Sequence, residues 1–219
     1  MDIDAEALQT LQTWFSPSLP TGAFAHSHGL EAAIEDGDVG GADDALAWIA
    51  RAVRSGGLGN DAILAAEAYR AAGAATGADA SKALDEIDAL ARAFVAGRER
   101  LTESLDQGAA FAEAVGLDGP RRALPVAIGA AARARRLPLP ATLLASLQGA
   151  AANLVWIGAR LVPFGQRDAL RCVERLGPAV RAAAARAEAV GLDGLGGDAL
   201  GSDLASLAHE SQRSRVCRT

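Results

Sequence analysis

The side chains best suited to chemistry are close together near the N-terminus. His26, His28 and Glu31 lie within six residues, and the chain has only one other histidine, His209. In an extended turn, both imidazoles could reach one metal ion, and the carboxylate could serve as an acid or base. These residues therefore predict one candidate activity, that of a metal-dependent hydrolase. On a continuous helix the two histidines would point apart, because facing positions are three or four residues apart.

Several other requirements for catalysis are missing from the sequence. Cys172 and Cys217 are far from each other and from the histidine pair, so no closed metal site is specified. The sequence has no serine elbow and no phosphate-binding loop, and Lys82 is its only lysine. Glu31 and Glu35 are four residues apart, a spacing typical of a solvated helix face. We therefore predict no catalytic residues, no resident metal and no cofactor.

The composition predicts a single all-α domain over residues 1–219. Half of the residues are hydrophobic but only 4% are aromatic, so alanine, leucine, valine and isoleucine must form the core. Alanine is the best helix former, and strand signals are scarce. The net charge of −6 argues against a nucleic-acid partner. The acidic start of the chain lacks a signal-peptide pattern, and two distant cysteines fit a reducing compartment, so we expect a cytoplasmic protein.

Apolar periodicity and helix breakers predict a bundle of about nine to ten helices. The predicted helices cover residues 4–15, 27–35, 43–55, 60–69, 81–94, 98–115, 125–135, 141–161, 166–176 and 178–190. Pro178 separates the last two, because proline suits a first helical position. Residues 73–79 and 191–202 are predicted to be flexible connections, since they are rich in glycine or alanine.

A proline-broken turn follows the first helix, and together they make up residues 1–24. Pro17, Pro20 and Gly22 prevent a continuous helix there. Aromatic residues flank the break on both sides: Trp14, Phe15 and Phe24. A polar surface loop has no use for three aromatic rings, so we predict an ordered, packed turn.

The segment 137–159 contains no charged residue and is long enough to span a bilayer. Its proline-rich start and the internal Gln148 and Asn153 favour a buried central helix instead, and we predict no membrane association. Ser146, Gly149 and Asn153 form a stripe of small and polar side chains. This stripe predicts contact with another helix, either inside the bundle or across a dimer.

The C-terminal segment 203–219 is predicted to be a partner-docking tail. It ends with Arg213, Arg215 and Arg218, although the chain as a whole is acidic. Leu204 and Leu207 precede the basic residues. Apolar residues next to a polar terminus are typical of a segment that orders on a partner.

Four motifs, in order along the chain, resemble those of the F-type urease accessory proteins. They are Ser16-Pro17…Pro20-x-Gly22-x-Phe24…Ser27-His28-Gly29-Leu30-Glu31, Glu103-Ser104-Leu105-x-Gln107-Gly108, Leu161-Val162-Pro163-Phe164-Gly165-Gln166 and His209-Glu210-x-Gln212-x-Ser214-Arg215-x-x-Arg218. Together these motifs extend over the chain from end to end.

The resemblance implies an all-helical, dimeric and non-catalytic protein. Such a protein joins a second accessory protein, called D or H, to a nickel-carrying GTPase, called G. The assembly would insert nickel into apo-urease, so nickel is cargo rather than a cofactor of this chain. Regulation of the GTPase could occur by conformational control or through an arginine supplied in trans.

The resemblance also implies which residues bind partners. The turn and the proline–glycine break would shape the contact surface through Pro17, Pro20, Gly22, Phe24, Ser27, His28, Gly29, Leu30, Glu31, Pro163, Gly165 and Gln166. The tail would dock to the D/H protein through His209, Glu210, Gln212, Ser214, Arg215 and Arg218.

Overall fold

A computed structural model describes residues 3–74 and 77–219 of the chain. Within those ranges it contains ten α-helices, two short 3-10 turns and no β-strand, which confirms the all-α prediction. The helices are α1 (Ala5–Trp14), α2 (Leu30–Glu35), α3 (Ala42–Ser55), α4 (Gly57–Ala74), α5 (Gly77–Phe94), α6 (Gly97–Val115), α7 (Leu124–Ala134), α8 (Leu139–Leu161), α9 (Gln166–Ala189) and α10 (Leu200–His209), and the 3-10 turns cover Ala23–Ala25 and Leu192–Gly194.

The apolar helix α8 lies at the centre of the bundle. It packs against α1, α3, α4 and α9. Leu143, Leu154 and Val155 are almost fully buried in the main core. By length and composition α8 could cross a membrane, and among the described residues it is the one helix that meets both criteria. It also contacts α2 and α7, and such contacts with six helices are those of the predicted core helix.

The helices α4 and α7 approach each other closely because their facing residues are small. Ala65, Ala68 and Ala131 are buried in this contact. A Cβ atom added at Gly129 would lie only 2.2 Å from the carbonyl oxygen of Ala65. Because these residues are small, the backbones of α4 and α7 lie close together, and small side chains rather than large ones fill this contact.

The prediction of two helices on either side of Pro178 was wrong, because α9 continues through it. Proline removes one backbone hydrogen bond and costs about 3 kcal/mol in a helix interior. Leu176 and Val180, on either side of the proline, are both buried in the main core. Packing of both halves against one core outweighs the local preference for a break.

Residues 191–202 were predicted to be mobile, but polar contacts hold them in place. Ser55 donates a hydrogen bond to Asp198, and the Gly196 N–H donates to Asn60 Oδ1 at 3.1 Å. Arg186 donates to the carbonyl oxygen of Gly194 at 2.7 Å. Ser55 and Asn60 come from helices more than 130 residues earlier, so local composition did not reveal these contacts.

Some predicted boundaries also differ from the observed ones. Helix α2 begins at Leu30 rather than at Ser27, and α4 begins at Gly57 rather than near residue 60. The predicted connection 73–79 is shorter, since α4 reaches Ala74 and α5 starts at Gly77. Positions 75 and 76 of that prediction lie outside the described residues.

Candidate functional site

A buried polar network joins the turn before α2, the helices α2 and α6, and the C-terminal tail. We call it the turn–tail network, and its members are His26, Ser27, His28, Glu31, Glu99, Arg100, Glu103, His209, Val216, Cys217 and Thr219. Most of these contacts join residues more than 70 positions apart, so the network ties together the two ends of the chain.

Left-handed backbone at His28 and Gly29 directs the turn into the network. Their φ angles are 56° and 78°. A Cβ atom at residue 29 would lie 2.6 Å from the backbone nitrogen of Ser206, so only glycine lets α10 approach this closely. The fully buried Ser27 donates its N–H and its hydroxyl to the Thr219 carbonyl oxygen, at 2.6 and 2.7 Å.

Glu31 fixes the tail by accepting two backbone hydrogen bonds. The N–H groups of Val216 and Cys217 donate to its two carboxylate oxygens, at 2.6 and 2.7 Å. Burial favours the neutral acid, but these N–H donors outweigh burial and lower the pKa of Glu31. The predicted solvated position of this residue was wrong, because the tail covers it and leaves only 6% exposed.

Glu103 is the most heavily bonded side chain of the network. Arg100 forms an ion pair with it, and His28 Nε2 and the Thr219 hydroxyl donate to its oxygens at 2.7 Å each. Gln107 Nε2 donates to it at 2.9 Å. Burial raises the pKa of this carboxyl, but Arg100 and His28 hold that pKa well below its usual range.

The two turn histidines are neutral structural groups in this arrangement. Burial lowers the pKa of both, and the nearby Arg100 lowers them further, against the attraction of Glu103. The ionised Glu103 can only accept, so His28 donates through Nε2. His26 Nδ1 lies 3.1 Å from the Thr219 hydroxyl.

The end of α10 is attached to the same helix that carries Glu103. His209 is fully buried, and its Nδ1 lies 2.7 Å from Glu99 Oε2. Arg215 forms an ion pair with the other oxygen of Glu99. Glu210 accepts hydrogen bonds from the backbone N–H groups of Arg98 and Glu99, which lowers its pKa and caps the start of α6.

The proline–glycine break after α8 lies beside the turn. Gly158 of α8 faces both Leu30 and Phe164, and a Cβ atom there would lie 3.5 Å from each side chain. Leu30 and Phe164 belong to one small apolar cluster with Ala205 of α10. All four motifs singled out in the sequence therefore meet in one region of the molecule.

The predicted partner-binding residues divide into surface and interior positions. The exposed ones are Pro17, Pro20, Phe24, Pro163, Gly165, Gln166, Ser214, Arg215 and Arg218. The half-buried ones are Gly22, His28, Glu210 and Gln212. The buried ones are Ser27, Gly29, Leu30, Glu31 and His209. In this conformation the exposed residues can contact a partner directly. The buried residues hold the backbone that carries them.

Arg100, Glu99 and Thr219 are network residues that the sequence reasoning missed. Arg100 and Glu103 are three residues apart, a spacing that pairs opposite charges on one helix face. That spacing was a usable signal for Arg100. No local pattern indicates that Thr219 returns to a turn almost 200 residues earlier.

The stripe on α8 makes its contacts within the chain. Asn153 Nδ2 donates to the carbonyl oxygen of Ala23 at 2.9 Å. A Cβ atom at Gly149 would lie 3.2 Å from Phe15, and the Ser146 hydroxyl donates to its own helix at Leu143. The stripe thus supports the turn and the end of α1. These contacts fit the alternative in which the stripe packs inside the bundle.

The geometry gives no support to the hydrolase alternative. His26 contacts Thr219, His28 contacts Glu103, and Glu31 is occupied by the tail backbone. Across residues 3–74 and 77–219, no group of three histidine, cysteine, aspartate or glutamate side chains is placed to hold a metal ion. Each side chain of the proposed acid–base set is already bonded to a separate structural partner.

Comparisons with known proteins agree with the motifs. The UreF family model matches residues 39–177. The chain is 40% identical to the urease accessory protein UreF of Roseobacter denitrificans, with 99% of this chain and 96% of that protein aligned. It is 44% identical to UreF of Cereibacter sphaeroides strain ATCC 17029, with 97% and 99% aligned. The chain therefore belongs to the UreF family of urease accessory proteins.

Proposed function

We propose that this chain is a non-catalytic, cytoplasmic adaptor of urease maturation. It bridges the D/H accessory protein and the nickel-carrying G GTPase, and it regulates GTP-dependent insertion of nickel into apo-urease. The observation that carries this proposal is the convergence of all four family motifs around the turn–tail network. The four motifs are far apart in the chain. A common binding surface would explain why one protein carries all four and brings them together in space.

An exposed apolar patch beside the network supports a docking role. Phe24 is 67% exposed and Val216 is 66% exposed, although Ala23 and Ala25 are half-buried and Cys217 is buried. Arg160 of α8 joins their two segments by donating to the Phe24 carbonyl oxygen at 3.1 Å and to Cys217 Sγ at 3.5 Å. Exposed apolar residues held on a rigid frame are typical of protein interaction sites.

Helix α10 offers a second apolar face next to the tail. Leu200, Leu204 and Leu207 are spaced as one helix stripe, and each is about half exposed or more. We assign this stripe and residues 209–218 to the D/H protein. The turn and the break at 163–166 shape the adjoining surface. Homodimer formation is part of the proposal, and the half-exposed Trp156 on the outer side of α8 supports it.

For the GTPase, we favour conformational control over an arginine supplied in trans. Arg100 is buried in its pair with Glu103, so its guanidinium is not free to enter another active site, and Arg215 is already paired with Glu99. A protein that binds one conformational state of the GTPase shifts its population without donating catalytic groups.

The arginine alternative is tested by GTPase assays. Single alanine variants at Arg98, Arg100, Arg213, Arg215 and Arg218 are assayed in the assembled complex. Conformational control predicts rate changes that follow complex affinity. A loss of about 10³-fold in rate with binding intact would establish an arginine finger instead.

The adaptor proposal is tested by size-exclusion chromatography with light scattering. The chain is run alone and with its D/H and G partners, with and without nickel and a GTP analogue. A dimer alone and a ternary species with both partners are expected. A monomer that co-elutes with neither partner would overturn the proposal.

A further inference from the structure

A cavity of about 230 Å³ lies where five helices begin or end. The C-terminal ends of α3 and α5, the N-terminal ends of α4, α6 and α10, and the segment before α10 form its wall. We call it the α4–α10 cavity. One water in the liquid takes up about 30 Å³, so the cavity has room for about eight waters or one small organic group. It is too small for a nucleotide or a drug-sized ligand, whose sites measure about 300–1,000 Å³.

The charged groups in the cavity wall leave an excess of negative charge. Arg100, Asp61 and Asp203 line the cavity, together with the neutral His28. Arg100 is paired with Glu103, whereas its Nη2 atom lies 3.8 Å from Asp61 Oδ2, beyond hydrogen-bond range. Glu103 therefore balances the charge of Arg100, and the two aspartates remain without a full counter-charge. The N-terminal ends of α4 and α10 offset only about half a charge each.

The two aspartates lose contact with water without gaining hydrogen bonds. Burial raises the pKa of both carboxyls, to about 6 for Asp61, against the attraction of Arg100. Among the described residues, no backbone or side-chain donor bonds to either carboxylate. Glu31 and Glu103 of the turn–tail network, by contrast, each accept several hydrogen bonds. A cation that brings its own N–H donors would satisfy both aspartates.

The aromatic part of the wall favours a guanidinium over other cations. Trp48 and Phe94 line the cavity beside the carboxylates. A planar guanidinium stacks on aromatic rings and binds carboxylates through paired hydrogen bonds, whereas a compact ammonium is more strongly hydrated. In the part of the chain that the structure describes, no three histidine, cysteine, aspartate or glutamate side chains are grouped to hold a metal ion, which disfavours a divalent cation.

The open side of the cavity adjoins the leucine stripe of α10. Asp203 lines the cavity and is exposed, and the next residue, Leu204, belongs to that stripe. Phe94, on the opposite side, is 46% exposed. Free arginine would bring its α-carboxylate to a negative wall where Arg100 is already paired. The side chain of a docked protein brings no such carboxylate, so a protein is the better source of the guanidinium.

We propose that the α4–α10 cavity binds the guanidinium group of an arginine side chain, which the D/H protein supplies when it docks on the leucine stripe of α10. Asp61 and Asp203 accept hydrogen bonds from the guanidinium, and Trp48 and Phe94 flank its plane. The identity of the donor protein rests on the proposed function, whereas the chemistry of the cavity does not.

The chemistry is tested with arginine blocked at both ends, N-acetyl-arginine methylamide. Amide NMR signals of the chain are followed up to about 20 mM, because a single side chain binds weakly. Signals of cavity residues such as Leu58 and Ser202 are expected to move and saturate. Blocked citrulline, whose ureido group is the neutral counterpart of guanidinium, and free arginine should each bind about tenfold or more weakly. Equal binding of either compound, or no saturable change with blocked arginine, would overturn the inference.

The site is tested with paired amide variants. Asp61→Asn/Asp203→Asn removes both charges at nearly constant side-chain size, and Asp79→Asn/Asp118→Asn is the matched control at exposed positions. The cavity variant is expected to bind blocked arginine about tenfold or more weakly, and the control within about twofold of the wild type. Wild-type affinity should also fall about threefold or more from pH 7.5 to pH 5, because Asp61 gains a proton near pH 6. Equal binding by the cavity variant and the wild type would place the ligand elsewhere and overturn the inference.

The donor is tested by calorimetry with the purified D/H protein. The cavity variant is expected to bind it about tenfold more weakly than the wild type and the control variant do. If the D/H protein binds the cavity variant and the wild type equally, the assignment of the donor is overturned. If it does not bind the wild-type chain at all, the proposed function fails together with that assignment, while the NMR titration still decides whether the cavity binds a guanidinium.

Discussion

Glu103 holds together three parts of the molecule that are remote in sequence. Arg100 lies on its own helix, His28 comes from the turn, and Thr219 comes from the tail. A buried carboxylate with this many donors stays ionised at neutral pH. The same carboxylate therefore orders the turn, keeps Arg100 paired and anchors the end of the chain.

Replacement of Glu103 by glutamine should destabilise the protein. The change leaves Arg100 buried without its main counter-charge, and loss of one partner from a buried pair costs about 3–5 kcal/mol. Denaturant unfolding of Glu103→Gln and of the exposed control Glu113→Gln measures the effect. A loss of less than about 1 kcal/mol would show that the network contributes little to stability.

Asp61 is predicted to cost stability at neutral pH. Burial raises the pKa of this carboxyl to about 6, against the opposing attraction of Arg100. The folded pKa lies above the unfolded value of 3.8, so the folded state binds the proton more tightly than the unfolded state. The stability of the fold is therefore not reduced by Asp61 below that value, and the reduction develops as the pH rises through about 6.

Asp61→Asn should therefore raise the free energy of unfolding by about 1–2 kcal/mol near pH 7.5, a figure reduced for partial exposure of the side chain. The gain should vanish near pH 4. Urea unfolding at both pH values, with the exposed Asp118→Asn as control, measures the difference. A gain of equal size at both pH values would contradict the assigned cause.

At the residue scale, the sequence identified the turn but not its chemistry. Pro17, Pro20 and Gly22 marked an ordered break. Trp14 and Phe15 pack against Phe111 as predicted, but the prediction was wrong for Phe24, which is 67% exposed. The burial of Glu31 could not be predicted, because its partners lie 185 and 186 residues away in the tail. Local spacing reports neighbours on one helix and carries no information about such contacts.

At the scale of elements, helix contacts depend on small residues as much as on apolar ones. The contact between α4 and α7 requires glycine at position 129, where a Cβ atom would collide with the Ala65 carbonyl oxygen. The alanine-rich sequence indicated helices correctly. The closeness of this pair could not be read from it, because periodicity describes the face of one helix and not its distance from another.

Gly129→Ala is expected to lower stability by about 1–3 kcal/mol through overpacking, even though alanine is the better helix former. The matched control is Gly191→Ala, where the added methyl group meets open space and φ is −93°. Thermal unfolding of both variants tests this expectation. An unchanged or raised melting temperature for Gly129→Ala would mean that α7 can shift outward without cost.

The two wrong element predictions have one cause. Pro178 and the glycine-rich segment 191–202 both carry local signals for a break or for mobility. In each case contacts with distant helices override the signal, through apolar burial at α9 and through polar bonds from α3 and α4 to the segment. Elements defined by tertiary contacts are the ones that a single sequence predicts poorly.

At the scale of the whole molecule, the N-terminal turn and the C-terminal tail form one surface. The family resemblance indicated both segments as partner-binding, but the sequence could not show that they touch. Arg218 N–H donates to the Ala25 carbonyl oxygen at 2.7 Å, and Ser27 N–H donates to the Thr219 carbonyl oxygen. Phe24 and Val216 are exposed on these two joined segments, which Glu31 and Glu103 hold in place.

The central claim, that this shared surface docks a maturation partner, is tested most directly by the affinity for the D/H protein. Calorimetry compares Phe24→Asp and Val216→Asp with Leu8→Asp, a control at a residue of α1 that is 46% exposed. We predict that each of the first two variants binds about tenfold or more weakly, because a charge enters an apolar contact, and that the control binds like the wild type. Wild-type affinity in both Phe24→Asp and Val216→Asp would contradict the account.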